Sequence, residues 1–324
     1  MPHTVFTLGE SLIDFVSSTP GTLQQAPSFD KAPGGAPANV AACVARLGGQ
    51  AAFVGLCGAD AFGDFLIGTL ADSGVDTQYY QRTEAASTSL AFVSLDAGGD
   101  RSFMFYRDPG ADTLLQPAHV PVAAIAQAGI LHVGSVSLAA EPARTATLFA
   151  ARDAKKRGVF VSYDPNWRPS LWRDPAHGLR SIELLYDACD AIKVNREELY
   201  LLTGTTDVDT GAMYFHQRGI RLVFITLDAD GCYYSHQVAA GDRQARHVPG
   251  LPVRVVDTTG AGDAFVGAFL YQLASSTALT WSAEELHTWV RFAIATSALV
   301  TTRRGAIPAL PTRADVLEVL AGRP

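Results

Sequence analysis

Short apolar runs rich in branched side chains recur along the chain: VFTLG (5–9), AAFVGL (51–56), GILHVG (129–134), VFVSYD (159–164), AIKVN (191–195) and LVFITL (222–227). Runs this short and this continuously apolar predict strands buried on both faces. Segments with helical spacing lie between them, among them ANVAACVARLGG (38–49), closed by a diglycine, and PARTATLFAARDAKKRG (142–158). Strand–helix alternation predicts parallel strands joined by crossover helices, hence an α/β sandwich. Residues 10–32 and about 87–112 depart from this pattern. They carry period-two alternation, as in SLAFVSLD and RSFMFYR, with no helix between. Such stretches predict a small separate antiparallel sheet, suited to closing over a site as a lid. The segment from Gly241 to Val256 turns from polar to apolar and predicts a pair of short strands before the last helices.

Composition narrows the class. The chain has 324 residues, 48% apolar and 18% charged, which excludes a disordered or collagenous protein. At about 150 residues per domain this length allows two domains, or one large α/β domain with an appendage. A net charge of −7 argues against a nucleic-acid partner held through phosphates. The opening MPHTVFTLGE reads as a strand rather than an export signal. Val122 to Ala140, the most apolar later stretch, is broken by Gln127, His132 and glycines, short of the ~20 apolar residues that span a membrane. Cys43, Cys57, Cys189 and Cys232 are scattered without a C-x-x-C pair, which predicts reduced, buried thiols in a cytoplasmic protein. Lysine occurs only at positions 31, 155, 156 and 193, never after a glycine, so a Walker-type phosphate loop is excluded.

Two glycine clusters carry the candidate chemistry. In VVDTTGAGDAFVGAFL (255–270) a β-branched run ends at Asp257, and Gly260-Ala261-Gly262 leads into an apolar helix beginning near Asp263. Small residues there let backbone N–H groups approach an anion, and a helix N-terminus favours one. The same field keeps a first-turn carboxylate ionised and able to take a proton. Taken alone, the turn and its acid also fit an ordinary helix start. The second cluster is KAPGGAPANVAACVARLGG (31–49), in which Gly34-Gly35 opens a helix and Asn39 lies in its first turn.

Together the clusters resemble the ribokinase (PfkB) family of sugar and nucleoside kinases, which carries a G-G-x-x-x-N motif near one end and a D-T-x-G-A-G-D motif near the other. The resemblance spans essentially the whole chain. It implies a ribokinase-like three-layer αβα sandwich with a mostly parallel central sheet and a small antiparallel β-lid. The chain then forms a single domain over 1–324, not two. Within the family, RSFMFYRDPGAD (101–112) and SYDPNWRPSLW (162–172) resemble fructokinases. The R-S-F…P-G-A-D run is shared with aminoimidazole riboside kinases.

The resemblance implies roles. Asp263 would be the general base, with Gly260, Ala261 and Gly262 as the anion hole. Asp14, Gly34, Gly35 and Asn39 would bind sugar hydroxyls. Phe103 would cover the sugar's apolar face, and Arg168, with Arg101 or Arg107, would donate to hydroxyls. IKVNREEL (192–199) matches an N-x-x-E motif, whose Asn195 and Glu198 would bind the nucleotide's Mg²⁺ through water; the same spacing fits a capping box. TLDADG (226–231) resembles a nucleotide loop, with Thr226, Asp228 and Gly231 in its key positions and aspartate where glycine is common. RFAIATSALVTTRRGAIPALP (291–311) resembles the segment flanking adenine, with Ile294 where relatives often carry asparagine. A monovalent cation such as K⁺ would lie among Asp257, Thr259, Val300, Arg303, Gly305 and Ala309.

The implied activity is ATP- and Mg²⁺-dependent phosphorylation of a sugar hydroxyl, foremost D-fructose to fructose 6-phosphate. The alternatives are 2-keto-3-deoxygluconate, ribose or a riboside as acceptor, and, in another class, a non-catalytic sugar-binding relative. The presence of the acid, the glycine turn and the N-x-x-E pair argues against the last. The first strand leads to GESLID rather than G-x-G-x-x-G, which argues against a dinucleotide-dependent oxidoreductase. Small-molecule sugar and ATP are the expected partners, with no membrane. Unpaired lid edges suggest a homodimer.

Overall fold

The computed structural model describes residues 3–95, 101–239, 241–276 and 279–322. Its strands are β1 (Thr4–Leu8), β2 (Leu12–Ser17), β3 (Phe29–Gly34), β4 (Gln50–Gly58), β5 (Tyr80–Thr83), β6 (Leu90–Leu95), β7 (Arg101–Tyr106), β8 (Gly129–Gly134), β9 (Phe160–Asp164), β10 (Ala191–Asn195), β11 (Leu222–Thr226), β12 (Cys232–Ala239) and β13 (Asp242–Val248). Each apolar run singled out above forms a strand of one nine-stranded sheet, ordered β13-β12-β11-β10-β9-β8-β1-β4-β5. From β5 to β11 all neighbours are parallel, and the β12–β13 hairpin adds an antiparallel edge.

Helices cover both faces, as an apolar parallel sheet requires. Ala36–Arg46, Ala261–Ser275 and Ala283–Val300 pack on one face, and Ala143–Lys156, Arg196–Thr203 and Val208–His216 on the other. The chain leaves β1 first toward β4 and later toward β8, so β1 is the point where strand order reverses. Ligands in open α/β sheets bind beyond the carboxyl ends of strands at such a point. The register aligns those ends: Gly134 pairs with Asp164, and Asn195 with Thr226.

The lid is a four-stranded sheet, β3-β2-β6-β7. Its outer pairs are antiparallel as expected, but β2 and β6 run parallel. Each excursion leaves the body and returns beside itself, so the two outgoing strands lie side by side.

One expectation is corrected. The strand pair of this region is β12 with β13, and residues 249–257 join no sheet. Val255 and Val256 are 58% and 53% exposed, and the N–H groups of Val256 and Asp257 go to the Thr301 carbonyl at 2.8 and 3.1 Å. Their branched side chains signalled a strand, but the partner supplied is a turn at the end of a helix.

The Ala261–Ser275 helix carries the candidate acid into the core. Gly267 lets it approach the Ala36–Arg46 helix, since a Cβ there would lie 2.6 Å from the Cys43 Cβ and 3.0 Å from the Val40 carbonyl. Gly267→Val should therefore lower unfolding stability by about 1–3 kcal/mol through overpacking. A reduced urea midpoint at unchanged slope would show this, and an unchanged midpoint would mean that the two helices are not in tight contact.

Candidate active site

A cavity of about 270 Å³ lies between the lid and the carboxyl ends of the parallel strands. Asp263 forms part of its wall, at the third position of the Ala261–Ser275 helix. The helix begins at Gly260, whose φ of 76° and close approach to Ala306, 2.6 Å from a would-be Cβ, both require glycine. First-turn N–H groups have no acceptor within the helix, so those at Gly262 and Asp263 remain available to an anion. Gly260 and Gly262 line the cavity. Ala261 does not; its carbonyl accepts the Ser297 hydroxyl at 2.8 Å.

Asp263 is 9% exposed, and its Oδ2 accepts a hydrogen bond from the Asn39 amide at 2.7 Å. Burial pushes the carboxyl up to about 6, against the Asn39 bond, which favours the charged form. Asp164 adds to the rise, while Lys193 and Arg168 oppose it. The first-turn position alone suggested an acid held at an ordinary or depressed value; desolvation outweighs the helix field. The group is still mostly ionised at pH 7, within reach of both states.

Asn39 is buried in the first turn of the Ala36–Arg46 helix, and its Oδ1 is buried without a partner. Gly35 caps that helix at φ 106° and lines the cavity beside Asn39 and the lid residue Asp14. Asp14 sits within β2, paired with Ala32 and Ala91. Gly34 is behind the wall: a Cβ there would collide with the Asp14 carboxylate, so the glycine makes room for the acid rather than touching the cavity. Phe103 of β7 faces inward, with the Arg168 guanidinium 5.6 Å from its ring centre. Arg168 also donates to the Trp167 carbonyl at 3.0 Å. Arg107 is not available to a sugar. Its guanidinium is buried against Asp112, with Nε to Oδ2 at 2.7 Å, and reaches the Val136 carbonyl. The Arg101 side chain lies outside the described residues.

At the end of β10 the geometry realises the capping box. Asn195 Oδ1 accepts the Glu198 N–H at 2.8 Å, and Glu198 Oε2 accepts the Asn195 N–H at 2.9 Å. Glu198 Oε1 takes the Trp167 N–H at 2.7 Å. Asn195 lines the cavity, whereas Glu198 is 3% exposed behind it. This arrangement suits an ion that keeps its waters better than one bound directly. Among the described residues no group of three or more His, Cys, Asp or Glu side chains is arranged to hold a metal.

Thr226 ends β11, and Asp228 and Gly231 follow it; none of the three lines the cavity. Asp228 adopts φ 53°, so the aspartate tolerates the left-handed turn, and Gly231, at φ 96°, has Val248–Gly250 backbone where a Cβ would go. Ile294 is packed in the core. The loops proposed to surround a monovalent cation do meet: Asp257 accepts from the Thr259 N–H and hydroxyl and, across the gap, from the Gly305 N–H at 2.8 Å. Val300 and Ala309 are buried beneath them, and Arg303 is exposed.

Three groups escaped the sequence reading. Lys193 lines the cavity, its Nζ 2.9 Å from where a Gly262 Cβ would be, and pairs with buried Asp164 at 3.1 Å. Asp164 holds its ammonium charged despite full burial. The signal was present, since a lysine interrupts the apolar strand AIKVN. The third group, Glu10, lies two residues past β1 at the switch point and lines the cavity.

Fold and site together define a class: an α/β kinase of ribokinase-like fold, with a β-lid over an acid set at a glycine turn. Residues 2–313 match the pfkB family carbohydrate kinases. The chain is 46% identical over 318 residues to fructokinase-1 of Zea mays, covering 98% of this chain and 97% of that relative. It superposes on a crystal structure of fructokinase with bound ATP from Xylella fastidiosa with a TM-score of 0.89 at 36% identity, covering 100% of this chain and 99% of the other. A fructokinase double mutant from Vibrio cholerae O395, in fructose-, ADP- and potassium-bound form, matches with a TM-score of 0.86 at 36% identity over 98% of each chain. The protein belongs to the pfkB family and is an ATP-dependent carbohydrate kinase.

Asp263 can accept a proton only when ionised, so turnover should rise with pH through about 6. Asn39→Leu removes a donor that favours the carboxylate and should move this acid limb upward. A pH–rate profile checks both, and a limb that stays flat, or moves downward in the variant, contradicts the assignment.

Proposed function

We propose that the protein transfers the γ-phosphoryl group of ATP to the 6-hydroxyl of D-fructose. The observation that carries this reading is the buried Asp263 carboxyl, placed beside first-turn N–H groups of Gly262 and Asp263 that no helix carbonyl fills. A sugar seated between Asp14, Asn39 and Gly35 presents its hydroxyl to Asp263, with Phe103 over its apolar face and Arg168 at its edge. As the hydroxyl oxygen bonds to phosphorus, its proton passes to the Asp263 carboxylate and the bond from phosphorus to the ADP oxygen breaks. The N–H groups of Gly260, Gly262 and Asp263 hold the charge on the transferring group, whereas the Ala261 N–H goes to the Thr258 carbonyl at 3.3 Å. Lys193 supplies the cationic charge that a Walker lysine supplies elsewhere. Thr226, Asp228 and Gly231 flank the nucleotide.

Asn195 and Glu198 would hold a Mg²⁺ through water, and its charge would offset that of the phosphates. Asp257, Thr259, Val300, Arg303, Gly305 and Ala309 would surround a K⁺ that stiffens the two loops. The full-length similarity to fructokinases supports fructose as acceptor. No helix among the described residues is long and apolar enough to cross a membrane. The four cysteines are free and buried, which suits a reducing compartment, and we place the enzyme in the cytoplasm. Met104 and Tyr106, 49% and 61% exposed on the outer lid face, would meet a second lid in a homodimer. A monomeric mass in light scattering at working concentration would rule that out.

An ADP-release assay over ketoses, aldoses, keto-deoxy acids and ribosides should give the highest kcat/KM with fructose; a higher value for any other acceptor reassigns the substrate. Asp263→Asn should lower kcat by about 10²–10⁴. Lys193→Met should lower kcat by about 10²-fold or more, with the KM for fructose little changed. Near-parental turnover in either variant removes that residue from its role.

A further inference from the structure

We propose that Glu10 is a positioning residue, which clamps the Gly35–Ala36 turn and through it fixes Asn39 against Asp263. This rests on the reading of Asp263 as the base. Glu10 is 3% exposed and lies two residues past the end of the central strand β1. Its Oε1 accepts the N–H of Ala36 at 3.1 Å. Ala36 opens its helix, where N–H groups lack internal acceptors, and the Gly35 cap has no side chain to supply one. Pro37 carries no N–H at all. Glu10 therefore does from across the site what a capping side chain does locally.

Contact also runs along the backbone. A Cβ on Gly35 would lie 2.5 Å from the Glu10 carbonyl oxygen, so turn and carboxylate-bearing loop are pressed together. The Gly35 carbonyl accepts the Asn39 N–H at 2.9 Å, and the Asn39 amide donates to Asp263 at 2.7 Å. An unbroken path thus leads from Glu10 to the base. At its other end lie the roots of the lid. Arg107, just after β7, and Asp112 are the charged groups that act on Glu10, and Asp112 also takes the hydroxyl of Ser89, just before β6. Oε2 of Glu10 is buried without a partner, a destabilising feature that capping alone does not require.

The bond can be broken from either end. Glu10→Leu removes the acceptor, and Ala36→Pro removes the donor at a position where proline suits a helix. Each variant should lower kcat by about tenfold or more, per active site titrated, through misplacement of Asn39. Each should also raise the acid limb of the pH profile, where Asp164, Lys193 and Arg168 are the other charges acting on Asp263. The double variant should lose no more than the worse single one, because both cut the same link. Glu10→Gln keeps an acceptor and should recover turnover to within about threefold of the parent. Parental kcat in both single variants, additive losses, or a Gln variant as impaired as the Leu variant would overturn the proposal. A lowered melting temperature with unchanged turnover per titrated site would also do so, by leaving Glu10 a purely structural role. If Asp263→Asn is inactive while these variants are normal, only this inference fails; if Asp263→Asn is active, the base reading fails first.

Discussion

A single buried hydrogen bond, from the Asn39 amide to the Asp263 carboxylate, joins the two ends of the chain across 224 residues. Each partner sits in the first turn of its helix, and the two helices lie side by side on one face of the sheet. Glycines make this possible. Gly35 and Gly260 open the helices in conformations that other residues rarely adopt, and Gly267 removes the side chain that would hold the helices apart. Were the helices to separate, the acid would gain solvent and its carboxyl would fall toward the ordinary range. Packing of the core and the acidity of Asp263 are therefore one property.

The chain carries a net charge of −7, yet an ATP-dependent kinase must attract a polyanion. Local construction resolves the conflict. Helix N–H groups at the glycine turn and the Lys193 ammonium face the cavity, and Asp164 beneath Lys193 keeps that ammonium charged at full burial. The same Asp164 raises the pKa of Asp263 and Lys193 lowers it, so this cavity-lining pair also tunes the Asp263 carboxyl. The lid completes the design by burying these charges, which strengthens every electrostatic contact inside.

Much of the fold was legible because β1, β4, β8, β9, β10 and β11 are buried and read as short, mainly apolar runs, whereas the polar edge strand β5 (YQRT) left no such signal. The strands at the lid read equally well through their alternation. What failed was the stretch before Asp257, where Val255 and Val256 have strand-forming side chains but no strand to pair with; a single sequence records propensity, not partners. At the site, the glycine turn and Asp263 were visible as a local motif. Lys193 and Asp164 were not, since their roles arise from pairing between adjacent parallel strands. Glu10 was likewise hidden, because its partner Ala36 lies beyond the lid hairpin and contributes only a backbone N–H. Arg107 was misread for the opposite reason: a cation near the lid looked available, and its burial against Asp112 shows only in three dimensions.

The central claim is that burial against the Ala36–Arg46 helix poises Asp263 between its two protonation states. Carbon-13 NMR titration of protein labelled at aspartate carboxyls, with the Asp263 signal assigned by its loss in the Asn variant, reads this directly. A midpoint near 6 in the ligand-free protein is the predicted result. A midpoint at about 4, the ordinary value for aspartate, would contradict the account.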